Sequence, residues 1–85
     1  MSSTEHLIHM ANDIGNFFRA QPRRDAIAGI ANHIRSFWSP SMRAKLLAEL
    51  EQGVEGLDEL PREALRSIRA HPATKPKLSP GGDAG

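Results

Sequence analysis

Two segments of the chain repeat nearly the same pattern of apolar and polar positions. MANDIGNFF covers residues 10–18, and IANHIRSFW covers residues 30–38. When Leu7 and Ile27 are included, both segments carry apolar residues at i, i+3, i+7, i+10 and i+11, which is the spacing of one helix face. The repeat therefore predicts two similar helices, joined by a short turn, that pack similar apolar stripes against each other. Phe17 and Phe37 fall within these stripes and are predicted to lie in the core.

Capping and turn residues divide the chain into four predicted helices. The first runs to about Arg19, and the second starts near Pro22 and ends at Trp38. Ser39 supplies a cap and Pro40 the first residue of the third helix, since proline suits a first helical turn. The apolar stripe of this helix consists of Met42, Leu46, Leu47 and Leu50.

The fourth predicted helix follows a glycine stop. Gly53 ends the third helix, Asp58 caps the fourth, and Pro61 falls in its first turn. Its predicted buried face consists of Leu60, Ala64, Leu65 and Ile68. No segment alternates with the period of a strand. The sequence thus predicts an all-α protein: a small bundle of about four short helices.

Composition changes abruptly after the fourth helix. Residues 72–85, PATKPKLSPGGDAG, are rich in proline, glycine and small polar residues and lack periodicity. Such a segment cannot bury enough apolar surface to offset its ordering entropy. We therefore expect a helical domain over residues 1–71 and a disordered, dispensable tail over residues 72–85.

Length, charge and cysteine content narrow the classes of function. With 85 residues the chain forms one small domain, and it has no cysteine for disulfides, iron–sulfur ligation or thiol catalysis. It has neither an apolar run long enough to cross a bilayer nor the pattern of a signal peptide, so a cytoplasmic location is expected. The net charge of +1 does not favour nucleic-acid binding, which usually requires a strong positive excess.

The sequence contains few of the residue patterns that are typical of catalytic or metal-binding sites. His6, His9 and His33 could bind zinc or nickel if they converged, but no cysteine or well-placed carboxylate completes a ligand set. The chain shows no glycine-rich phosphate loop and no nucleophile motif. We therefore expect no catalytic residue, no cofactor-binding residue and no metal site in this chain.

A binding partner is a further hypothesis, because both repeat helices are apolar over a wider face than their mutual packing needs. Either the third and fourth helices or a partner protein covers the rest of that face. Gly15 lies inside a helix at a cost of up to about 1 kcal/mol, which suggests close approach of another backbone. Asn12 and Asn32 lie nearly opposite the stripes, where they either bind a partner's backbone or are merely solvated. Trp38 is either a core residue or an interface hot spot. The candidate partner-binding residues are Asn12, Gly15, Asn32, His33, Trp38 and Arg43.

Several of these motifs resemble a known family. MANDIGNFF, then a proline, then IANHIRSFWSPSMR, then GVEGLDEL is similar to the delta subunit of NAD-dependent, molybdenum-containing formate dehydrogenases. The resemblance runs from about His6 to Ile68. The family usually carries Asp or a similar residue where this chain has Ser39, which exchanges one helix cap for another.

The resemblance implies a role in a multi-subunit enzyme that oxidises formate to carbon dioxide and reduces NAD+. In such cytoplasmic complexes the large subunit holds a molybdopterin centre, and other subunits hold iron–sulfur clusters and FMN. The delta subunit is then an accessory piece without a cofactor, which docks on the large catalytic subunit and supports its stability, assembly or cofactor loading. The alternative is a small helical regulatory or nucleic-acid-binding protein.

Overall fold

The structure, a computed structural model, describes residues 3–71 as helices joined by short loops. The helices are α1 (Ser3–Phe18), α2 (Arg23–Phe37), α3 (Pro40–Glu51) and α4 (Glu59–Ala70). The predicted all-α class and four-helix bundle are confirmed, and the predicted helix limits lie within one or two residues of the observed ones. The predicted disordered tail, residues 72–85, lies outside the described residues.

The core is organised around α4. Its contact with α2 is the most extensive in the bundle, and α4 also touches α1 and α3. Its buried face consists of Pro61, Ala64, Leu65 and Ile68. Ile30 and Ile34 of α2 and Leu46 of α3 are fully buried in the same core. The two repeat helices do contact each other, but α2 packs chiefly on α4, which the repeat alone does not predict.

Residues with special backbone geometry set the helix ends. The Ser39 hydroxyl accepts a hydrogen bond from the Met42 amide at 3.2 Å, and Pro40 opens α3, as predicted. Gly53 follows the end of α3 with φ of +85°, a conformation that glycine adopts without a steric cost. Asp58 precedes α4 but makes no side-chain cap bond.

Within residues 3–71, no helix combines the length and the apolar character that a membrane crossing requires.

Candidate subunit interface

Two phenylalanines at matching positions of the repeat lie on the surface. Phe17 is 78% exposed and Phe37 is 75% exposed. The prediction that both rings fill the core is therefore wrong. Large exposed apolar surface on a soluble chain usually marks a binding site for another protein.

The exposed rings belong to one cluster, which we call the aromatic patch: Ile14, Phe17, Phe18, His33 and Phe37. Phe17 packs edge-on against Phe18 with ring centroids 5.1 Å apart. His33 stacks at 4.7 Å on Phe37 and also lines a surface depression with Phe17 and Phe18. His33 therefore joins the aromatic side chains of α1 to those of α2.

The position of Phe18 depends on a glycine of α2. A Cβ atom at Gly29 would lie 2.5 Å from a carbon of the Phe18 ring, far inside van der Waals contact. The Phe18 ring thus lies directly against the backbone of α2, and the missing side chain at Gly29 makes room for it. Phe18 is half-buried in this position, whereas the preceding residue, Phe17, is exposed to solvent.

Small residues in α1 explain why Phe17 points outward. The buried positions of α1 are Leu7, Ala11 and Gly15, which lie one turn apart along one side of the helix. Phe17 lies about 120° around the helix from the centre of this line. The spacing of Ala11 and Gly15 was the sequence signal that could have revealed this, because small residues mark the side where helices pack closely.

Gly15 makes its close approach within the chain. A Cβ atom there would lie 2.9 Å from Cδ of Pro61 in the first turn of α4. Gly15 is buried by this contact. The sequence led us to expect that Gly15 allows a close approach of another backbone. The structure shows a close approach, but it is made by α4 of the same chain.

The paired asparagines have different environments. The Asn12 amide donates a 2.8 Å hydrogen bond to the Gly56 carbonyl, and its oxygen accepts a 2.9 Å bond from the Asp58 amide. The expectation that this amide points away from the fold is wrong, because the buried side of α1 is centred on Leu7, Ala11 and Gly15 rather than on the phenylalanines. The Asn32 side chain is exposed and makes no hydrogen bond to another side chain or to the backbone within residues 3–71.

Trp38 and Arg43 stabilise the junction between α2 and α3. Trp38 is 5% exposed and belongs to the core. Of the two hypotheses for Trp38, the structure therefore supports a core residue rather than an interface hot spot. Arg43 donates a 2.9 Å hydrogen bond to the Trp38 carbonyl and a 3.4 Å bond to the Arg35 carbonyl. These bonds satisfy carbonyl groups at the end of α2 that have no helical partner. Of the six candidate residues, His33 is the one that lies in the aromatic patch.

The three histidines do not converge. His6, His9 and His33 line three separate surface depressions. Within residues 3–71, no group of three His, Cys, Asp or Glu side chains is placed to hold a metal ion. The full sequence also contains no cysteine, so the chain offers no thiolate to an iron–sulfur cluster.

Comparison with known proteins identifies the family. Residues 6–65 match the family model for the NADH-dependent formate dehydrogenase delta subunit FdsD. This range includes the two repeat copies, all of α3 and half of α4. No curated protein and no solved structure matches the chain. Because the family model covers most of the sequence, the chain belongs to the formate dehydrogenase delta subunit family.

Proposed function

We propose that this chain is a non-catalytic, cytoplasmic subunit of an NAD-dependent formate dehydrogenase. It docks through the aromatic patch on the large molybdenum-containing catalytic subunit and supports the stability, assembly or cofactor loading of that subunit. The observation that carries this proposal is the exposure of Phe17 and Phe37, both of which lie within the matched range 6–65.

The composition of the patch supports a protein partner. Aromatic residues dominate binding energy where they can be fully desolvated against another surface. Burying the two exposed rings removes roughly 300 Å² of apolar surface from water, given about 200 Å² for a whole aromatic side chain. At about 25 cal/mol per Å², this contributes several kcal/mol before the costs of association.

The cofactors of the proposed complex lie in other subunits. We expect a molybdopterin centre in the large subunit, and iron–sulfur clusters and FMN in the subunits it contacts. The delta chain supplies none of their ligands in this proposal, and its contribution is to packing rather than to electron transfer. We still predict that Asn32 and His33 contact the large subunit. The Asn32 amide is exposed, and His33 lies in the aromatic patch.

Co-purification with the large subunit tests the proposal. The delta chain is co-expressed with the other subunits, and the complex is isolated through a tag on the large subunit. Phe17→Asp and Phe37→Asp place a charge in the apolar contact, so we expect the delta chain to be lost from the complex. Formate-dependent NAD+ reduction and molybdenum content per large subunit should then fall to the level seen without the delta chain.

Ala28→Asp is the matched control, because Ala28 is exposed on the same helix as Phe37 but lies outside the patch. It should co-purify like the wild type. Far-UV circular dichroism of each free variant separates loss of docking from loss of folding. Folded phenylalanine variants that still co-purify would refute docking through the patch, whereas a wild-type chain that never co-purifies would refute the subunit role.

A further inference from the structure

The aromatic patch is one half of a longer apolar surface along α1. The second half is a depression lined by Met10 of α1 and Met42 of α3, together with Ser3, His6, Leu7, Ser41 and Lys45. Positions 3, 6, 10, 13 and 17 are three or four residues apart and therefore share one side of α1. This side runs for about 21 Å, at 1.5 Å per residue. The apolar residues on and beside this side form what we call the long apolar face: Met10, Ile14 and Phe17 of α1, Phe37 of α2 and Met42 of α3.

The two halves of this face carry opposite charges. Lys45 lines the half near the start of α1, and Asp13 lines the half near its end. Both side chains are exposed, and neither has an ion-pair partner within residues 3–71. A surface with a base at one end and an acid at the other is complementary to itself after a twofold rotation.

We propose that, in the absence of the large subunit, two copies of this chain pair through the long apolar face. Their α1 helices lie antiparallel, so that Lys45 of each copy faces Asp13 of the other. The twofold axis therefore relates two identical Lys45–Asp13 pairs. Pairing buries Phe17 and Phe37 of both copies. A paired chain cannot dock on another subunit through the same side chains. The pairing itself does not depend on which subunit that is.

The chain's own C-terminal segment is a poor alternative occupant. Residues 72–85 contain one large apolar side chain, Leu78. A single leucine cannot cover two phenylalanines that are 78% and 75% exposed together with two methionines. A second copy presents an apolar face of the same size as the one it would cover, and its Lys45 and Asp13 supply the opposite charges.

The expected dimer is weak. The four exposed rings of the pair account for roughly 600 Å² of buried surface, and the half-buried Met10, Ile14 and Met42 add to it. The total stays below about 1,200 Å², the lower limit of ordinary specific interfaces. We therefore expect a dissociation constant on the order of 10–100 μM, which weakens as salt screens the charge pairs.

Charge reversal tests the pairing in the full chain. Sedimentation equilibrium over a range of concentrations should show a monomer–dimer equilibrium for the wild type. Lys45→Glu places an acid opposite Asp13, and Asp13→Lys places a base opposite Lys45, so each variant alone should dimerise at least about tenfold more weakly. When the two variants are mixed, both charge pairs of the mixed dimer become attractive again, and the wild-type affinity should return.

Arg24→Glu is the matched control, since Arg24 is exposed and lies outside the long apolar face. It changes the net charge as much as Lys45→Glu does, but should leave the dimer intact. A wild-type chain that stays monomeric at millimolar concentration would overturn the pairing. So would variants that dimerise like the wild type, or a mixture that does not recover.

Discussion

The two copies of the repeat form similar helices whose buried sides overlap but are centred on different residues. Ile34 in the second copy is fully buried, whereas its counterpart Ile14 in the first is half-buried in the aromatic patch. Trp38 is buried, whereas its counterpart Phe18 is half-buried. Both copies bury the matching alanines, Ala11 and Ala31, but the first copy also buries Leu7 and Gly15, so its buried side is turned by roughly 60° around the helix.

This difference arises from the neighbours of each helix. α2 buries Ile30 and Ile34 completely, and its contact with α4 is the most extensive in the bundle. α1 meets α4 at Gly15, where the Pro61 ring comes too close for any side chain. A shared pattern of apolar positions thus specifies a helix, but the surfaces packed on that helix decide which of its sides is covered.

The largest expected effect separates the two isoleucines. Ile34→Ala should lower the free energy of unfolding by about 2–5 kcal/mol, because it removes methyl groups from a fully buried site. Ile14→Ala should cost less than about 2 kcal/mol, since solvent already reaches that side chain. Urea unfolding followed by circular dichroism measures both values. Equal losses would show that the two copies are packed alike.

The next effect concerns the contact between α1 and α4. Gly15→Ala should lower the free energy of unfolding by about 1–3 kcal/mol, because the rigid Pro61 ring blocks the added methyl group. This loss should appear even though alanine is the better helix former by about 1 kcal/mol. Gly29→Ala is the comparison, since its neighbour Phe18 can rotate away and the loss should be smaller. A stabilised Gly15 variant would contradict the close approach.

A smaller effect distinguishes the two asparagines. Asn12→Ala removes two hydrogen bonds that hold the loop before α4, so it should cost about 1–2 kcal/mol. Asn32→Ala should change the free energy of unfolding by less than about 0.5 kcal/mol, because Asn32 is exposed. Hydrogen exchange at the Asp58 amide should accelerate in the first variant and not in the second. Equal stability of the two variants would remove the distinction.

The smallest effect on stability is expected at the exposed rings. Phe17→Ala and Phe37→Ala should each change the free energy of unfolding by less than about 1 kcal/mol, instead of the 3–5 kcal/mol that a core phenylalanine would cost. Thermal unfolding of each variant measures this directly. A loss of several kcal/mol for either variant would mean that the ring is buried in solution. Binding to another chain should nevertheless weaken in both.

Local chemistry determined most of the fold. Ser39 and Pro40 set the start of α3 because a hydroxyl cap and a fixed proline φ act within one helical turn. Gly53 ended the same helix, since glycine adopts a positive φ without strain. The buried face of α4 also followed from sequence, because its apolar residues recur with helical spacing and have polar neighbours.

The candidate site depended on the tertiary structure. From sequence, Phe17 and Phe37 could not be distinguished from core residues, because a helical wheel does not show where its neighbours pack. Asn12 was misjudged for the same reason: its partners Gly56 and Asp58 are more than forty residues away in the sequence.

By itself, then, the sequence determined the four helices, their ends and the resemblance to the delta subunits, since these depend on patterns and interactions that are local in the chain. Only the tertiary structure decided which side of each helix faces the core. That choice depends on close contacts between distant segments, such as Gly15 with Pro61 and Phe18 with Gly29, because the shapes of the two surfaces decide which sides can meet.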